Sequence, residues 1–178
     1  MKKTSMVLLA VAVAATGLSG QGFPAKWIPT LNSSFVRDTL NGLVARPIVF
    51  VGDPIQGAAA QQMHNDTIKL GAFPEQVDPE YILAHEVGHT WSEQNRTDTA
   101  VYNILLLHDA QEKIGGYAAK SVGEHAAEAF AYAVLILRMP VDQQAAMLQR
   151  VESMVLGTTL VYERIKSRLT VLTFSSRR

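Results

Sequence analysis

The spacing of apolar residues divides the chain into a short β-rich stretch and a longer helical one. Arg46-Pro47-Ile48-Val49-Phe50-Val51 is β-branched and apolar and stops at Gly52-Asp53-Pro54, which predicts a buried strand. Thr67-Ile68-Lys69-Leu70, bounded by Asn65-Asp66 and Gly71, alternates polar with apolar residues and predicts a half-exposed strand. Between them, Gly57 to Gln62 reads as a loop. Upstream, Gly22 to Pro29 is a proline-containing entry segment, and Asn32-Ser33-Ser34 supplies caps for a short helix from about Ser34 to Leu43.

Helical spacing takes over at Asp78-Pro79-Glu80. A capping acid, a proline in the first turn and an acid at the positive end of the helix dipole start a helix that runs to about Gln94. A second helix covers Thr99 to Leu107, and Gly115-Gly116 breaks the chain after it. Ser121-Val122-Gly123-Glu124 opens a long apolar helix that reaches Leu137 and stops before Pro140. Two more follow, Val141 to Leu156 and Thr158 to Leu169, ahead of a basic tail ending in Arg177 and Arg178. A small sheet followed by several helices, without internal repeats or a dividing linker, is a single α+β domain.

The first twenty residues stand apart from this pattern. Lys2 and Lys3 precede an apolar stretch from Met6 to about Leu18, and then come Ser19, Gly20 and Gln21, the three-part arrangement of a secretory signal peptide. Its apolar core is shorter than the roughly 20 residues a membrane-spanning helix needs, so cleavage after Gly20, or after Gly17, is expected rather than a retained anchor. The domain then covers residues 21–178, and the protein is expected to be secreted or periplasmic, with no stable membrane insertion once the signal is removed. The 178 residues carry 16 Lys+Arg and 16 Asp+Glu; loss of Lys2 and Lys3 leaves 14 basic residues against 16 acidic ones, a mildly acidic protein. Such a balance, without a basic run, excludes nucleic-acid binding driven by charge. The absence of cysteine excludes disulfide scaffolds, thiolate zinc sites and thiol nucleophiles.

The candidate chemistry lies in His85-Glu86-Val87-Gly88-His89, in the middle of the helix that starts at Pro79. Four residues make slightly more than one turn, so both imidazoles share a face and can reach one zinc ion, while Glu86 points about 100° round toward a bound water. Zinc acidifies that water and Glu86 takes its proton, which supplies a nucleophile for a polarised carbonyl. Two core or surface histidines on an ordinary helix would give the same spacing without a metal.

A catalytic zinc needs a third protein donor. The extended pattern with a third histidine requires glycine at position 92 and histidine at 95, where this chain has Ser92 and Asn95. The better source is Glu124-His125-Ala126-Ala127-Glu128-Ala129-Phe130, whose two acids share one helix face. Glu124 suits a metal ligand, although with Ser121 it also matches a capping box. Glu128 is the only charge in the apolar remainder of its helix and must be paired. It can hold the outer nitrogen of a zinc-bound histidine or form a buried salt bridge to Arg or Lys. His64, His108 and His125 read as structural or solvated residues, with His125 facing away from the metal and His108 ending its helix.

His85-Glu86-Val87-Gly88-His89, then Tyr117 and, seven positions later, Glu124-x-x-x-Glu128-Ala129-Phe130, resembles the catalytic domain of anthrax lethal factor and the small secreted Pro-Pro endopeptidases that share it. The similar segment runs from about Pro79 to Leu137. The resemblance implies a zincin-like fold of the gluzincin type, with zinc held between two helices by His85, His89 and Glu124, Glu86 as general base, Tyr117 as donor to the oxyanion and Glu128 behind the ligands. It implies also that Thr67–Leu70 is the edge strand along which substrate lies. A hydroxyl on a loop after Gly115-Gly116 suits that donor role, and equally a tyrosine packed at a helix entrance.

These features together predict a secreted zinc endopeptidase acting on a peptide or protein substrate. The alternatives are a zinc hydrolase of some other bond, and a secreted binding or toxin-like module whose zinc site is structural or decayed.

Overall fold

A computed structural model describes residues 27–175 apart from 47, 53–54, 56–57, 64–65 and 73–76. The signal segment over 1–20, the entry segment before Trp27, His64, Gly57 and the terminal arginines lie outside the described residues. Among the described residues the architecture is α+β, a three-stranded mixed sheet beside seven α-helices. Helix α1 (Trp27–Leu31) leads through a π-helical turn, Phe35–Leu40, into the short α2 (Asn41–Leu43). Strands β1 (Val49–Gly52), β2 (Ala60–Met63) and β3 (Thr67–Leu70) follow. The helical part consists of α3 (Pro79–Gln94), α4 (Thr99–Ile114), a 3-10 turn at Tyr117–Lys120, α5 (Val122–Leu137), α6 (Val141–Glu152) and α7 (Thr158–Ser175).

The strand order is β1-β3-β2, with β1 parallel and β2 antiparallel to β3. Three expectations change here. β2 occupies part of the stretch expected to be a loop: Ala60-Gln61-Gln62-Met63 has no β-branched residue and is held extended by pairing with β3. β3 is then the central strand, not an edge, and the edge facing α3 is β2. β1 is not fully buried either, since it lies at the other edge and Val49 is 56% exposed. β3 alternates half-buried Thr67 and Lys69 with buried Ile68 and Leu70, as its sequence pattern requires.

The core joins the two parts. Ile68 and Leu70 from β3 belong to one cluster with Trp27, Phe35, Leu40, Leu43, Leu83, Trp91, Phe130 and Ile165. Trp27 also donates its indole N–H to the Gly71 carbonyl at 2.7 Å, which pins α1 to the end of β3 while the ring supplies apolar area. Each such ring or branched side chain, fully buried, stabilises the fold by about 1.5–3 kcal/mol relative to exposure.

Helices α3 and α5 pack on each other more extensively than any other pair of elements among the described residues. Their contacts run in opposite order, from Glu80 with Arg138 to His89 beside Gly123, so the helices are antiparallel. Trp91 and Phe130 stack with ring centroids 5.2 Å apart. The backbones approach tightly at Gly88, where a Cβ would stand 2.8 Å from Ala127 Cα and 2.9 Å from Ala127 O. Only glycine permits that approach, because the obstructing atoms are backbone and cannot rotate away.

Both helices begin where their caps predict. Asp78 accepts from the Glu80 N–H at 2.9 Å, and Ser121 Oγ accepts from the Glu124 N–H at 3.1 Å. Helix α4 continues to Ile114, so His108 lies within it rather than at its end. Gly115 and Gly116, at φ +87° and +81°, then reverse the chain toward Tyr117. Helix α6 stops at Glu152, short of Leu156, and α7 extends beyond Leu169 to Ser175.

Candidate metal centre

The antiparallel crossing brings the middle of α3 against the first turns of α5. His85 and His89 project from one face of α3 with ring centroids 4.9 Å apart and planes at 85°. Glu124, from α5, places Oε2 3.0 Å from His85 Nε2 and 3.5 Å from His89 Nε2. One donor atom from each of His85, His89 and Glu124 lies within 4.8 Å of the others, a group that can hold a metal ion. Its dimensions fit: donors about 2.1 Å from a common tetrahedral centre stand about 3.4 Å apart. Glu124 resolves its two readings by doing both, since its backbone N–H is capped by Ser121 while its carboxylate turns to the histidines.

Glu128 lies one turn further along α5 and is buried. Its Oε1 is 3.0 Å from His85 Nδ1, off the line of a straight hydrogen bond, and accepts from the Tyr81 hydroxyl at 2.5 Å. The buried salt bridge to Arg or Lys is therefore replaced by a histidine and a tyrosine. With its proton at Nδ1 toward Glu128, His85 turns the Nε2 lone pair to the other donors. A lone pair and a carboxylate oxygen at 3.0 Å require a positive centre between them, either a proton or a cation. Burial opposes charge on His85, but Glu128, then Glu86 and Glu124, outweigh it and raise its pKa. His89 moves the other way: burial and the neighbouring His85 lower its pKa against the pull of Glu124 and Glu93.

Glu86 sits beside the pair and is buried. Its Oε2 accepts the Gln62 N–H from β2 at 2.6 Å, which fixes the carboxylate from the sheet side. Burial raises its pKa, opposed by His85 and the Gln62 N–H and reinforced by Glu124. That shift strengthens its basicity, as proton transfer near neutral pH requires. The Gln62 side chain extends to Glu93 Oε2 at 3.1 Å, so one strand residue touches α3 at two levels.

Tyr117 starts the 3-10 turn, half-exposed, with its ring 5.5 Å from that of His85 and edge-on to it. Lys120 Nζ stands 3.7 Å from the Tyr117 ring centroid. Burial, followed by Glu124, Glu86 and Glu128, raises the Tyr117 pKa and keeps the hydroxyl protonated as a donor. Of the six residues singled out from the sequence, His85, His89 and Glu124 form the group that can hold an ion, Glu128 and Tyr117 lie against His85, and Glu86 is next to it on α3.

Four further residues shape the site. Tyr81 precedes His85 by one helical turn and Tyr132 follows Glu128 by one; their rings are 5.7 Å apart, and burial, then Glu128, raises the pKa of both hydroxyls. Helical spacing from the motif is the signal that finds them. Gly88 is signalled only as a glycine inside an apolar helix, and Gln62 by nothing local. His125 faces away as expected: it is fully buried and donates from Nε2 to the Leu156 carbonyl at 2.8 Å, with its ring 5.5 Å from that of His108.

The chain matches no protein-family model, no curated protein and no solved structure. The donors and their geometry carry the functional argument.

Proposed function

We propose that the protein is a zinc-dependent endopeptidase of the gluzincin type, exported by its N-terminal segment and acting on peptides or proteins. The observation that carries this reading is the convergence of His85, His89 and Glu124 from two helices with the buried carboxylate of Glu86 beside them. Two neutral imidazoles and one carboxylate suit zinc, and among the described residues the group has three members, the number that leaves one position open for chemistry. Bound there, zinc supplies a Lewis acid that polarises a carbonyl and acidifies water.

The chain's own residues complete the reaction. Glu86 receives a proton at its carboxylate and returns it to the leaving amine, with the Gln62 N–H holding Oε2 in place. The Tyr117 hydroxyl donates to the oxygen that becomes negative, a contact made mainly in the transition state. Glu128 and Tyr81 fix the His85 ring. The motif spacing over Pro79–Leu137, which resembles that of the lethal factor catalytic domain, supports the same reading.

The test is to load residues 21–178 with zinc, incubate them with a diverse peptide library with and without chelator, and read the products by mass spectrometry. Chelator-sensitive cleavage is expected, and Glu86→Gln is expected to keep one zinc per chain while losing cleavage. A library left intact by the zinc-loaded protein, or an active Glu86→Gln, refutes the proposal.

A further inference from the structure

The hydroxyl assigned to the oxyanion belongs to a side chain with little around it. Tyr117 is half-exposed, and among the described residues its hydroxyl has no hydrogen-bond partner. Gly115 and Gly116 precede it at φ +87° and +81°, and a Cβ on either would meet nothing within 4 Å. The chain entering the turn is therefore not packed from the side. Its backbone is anchored at two other points: Gln111, fully buried, donates from Nε2 to the Gly115 carbonyl at 3.1 Å, and Ala118 is buried within the turn. Those anchors place the Tyr117 backbone and not its ring.

Among the described residues two ring contacts orient the side chain. One is with His85, whose ring meets that of Tyr117 at 75°. The other is with Lys120, whose Nζ lies 3.7 Å from the Tyr117 ring centroid. The turn imposes this second contact: Tyr117–Lys120 is one 3-10 turn, and with three residues per turn the side chains at its first and fourth positions eclipse. Among the described residues the Lys120 ammonium has no carboxylate partner, so the ring face is its seat. A cation on that face is attracted by the negative side of the ring quadrupole and draws electron density from the phenol, which strengthens the O–H as a donor.

We propose that Lys120 is a positioning residue for the oxyanion donor, its ammonium holding the Tyr117 ring in the orientation that presents the hydroxyl to the reacting carbonyl. The inference rests on the endopeptidase reading and deepens it, by naming the residue through which the turn controls turnover. Lys120 acts through Tyr117 and needs no contact with substrate or metal. Its loss should therefore be felt in the transition state and not in the binding of peptide or zinc.

The experiment measures kcat and KM on one uncharged library peptide for zinc-loaded wild type, Lys120→Met, Lys120→Arg, Tyr117→Phe and the Lys120→Met/Tyr117→Phe double variant, with bound zinc measured for each. Lys120 is exposed, so its replacement leaves the core intact. Lys120→Met should lower kcat by about 2–5-fold with KM and zinc content unchanged, the scale of a cation–π contact at an exposed site. Lys120→Arg should recover most of that loss, because a guanidinium also stacks on an aromatic face. In the Tyr117→Phe background the same Met substitution should change nothing, since the hydroxyl it positions is gone. In the metal-free protein, the ring resonance assigned to Tyr117 by its absence from Tyr117→Phe should move in Lys120→Met. An unchanged kcat in Lys120→Met, an equal loss in both backgrounds, a change confined to KM, or a Tyr117 resonance that stays in place overturns the role of Lys120 and leaves the peptidase reading standing. Absence of chelator-sensitive cleavage in wild type overturns both.

Discussion

Gly88→Ala tests whether the site depends on how closely two helices approach. The added methyl carbon meets Ala127 Cα at 2.8 Å, Ala127 O at 2.9 Å and Phe130 Cβ at 3.1 Å. Relaxed carbon contacts lie at about 3.5–4.0 Å, so α3 and α5 must part by about 0.7 Å or more at the crossing. Overpacking of this kind destabilises by about 1–3 kcal/mol. The better helix propensity of alanine offsets about 1 kcal/mol of that, so the metal-free protein should lose only about 0–2 kcal/mol. The donors have no such compensation. His85 and His89 flank Gly88 on α3, and Glu124 lies within one turn of Ala127 on α5, so the same parting separates the histidines from the carboxylate. Metal–ligand distances tolerate about 0.2 Å, and a displacement several times larger should weaken zinc binding by about 100-fold. Competition with a chromophoric chelator reads the affinity, and calorimetric melting of the metal-free form reads the stability. Wild-type zinc affinity with an unchanged melting temperature would show that the helices do not meet as described.

Tyr117→Phe should lower kcat by about 100-fold with little change in KM, because the hydrogen bond forms in the transition state; steady-state kinetics on a cleaved library peptide check this. Glu128→Gln should weaken zinc binding by about 10–100-fold while the fold survives, which metal titration followed by circular dichroism reads. His125 supplies a pH dependence. Burial lowers its pKa below 6.5, so the native state holds it neutral and the unfolded chain binds the extra proton first. Stability is therefore present above 6.5 and declines as pH falls through the window between the unfolded and the depressed native pKa. A shallower acid decline of the melting temperature in His125→Gln than in wild type, both metal-free, is the expected result; parallel curves would contradict it.

The helices that bear the donors were legible because local chemistry and tertiary need agree there. Asp78 and Ser121 cap the helices their sequences predict, and the isolated acid Glu128 in an alanine-rich helix demanded the partner it found in His85. Local signals fail where the determinant is a pairing partner. β2 carries Ala60-Gln61-Gln62-Met63, which has weak intrinsic preference for extension, and it exists because β3 offers hydrogen bonds. The strand order followed from that omission, and β3 moved from edge to centre. Gln62 acts through its backbone N–H, a group every residue but proline possesses, so its identity announced nothing. Val49 looked buried because β-branched runs suit covered sheets, whereas this sheet leaves β1 at an edge.

The three donors do not stand on equally firm ground. His85 and His89 lie in the middle of α3, where backbone hydrogen bonds close on both sides. Glu124 belongs to the first turn of α5, held at its start by Ser121, whose Oγ accepts the Glu124 N–H and whose carbonyl accepts the His125 N–H. Helix ends open locally far more often than helix centres. The carboxylate is thus the hinge of a latch whose fixed side is the histidine pair. An ion held there would be freed by release of that one turn while the core between Trp91 and Phe130 stays closed, so its lifetime would be set by a local opening and not by the stability of the whole fold.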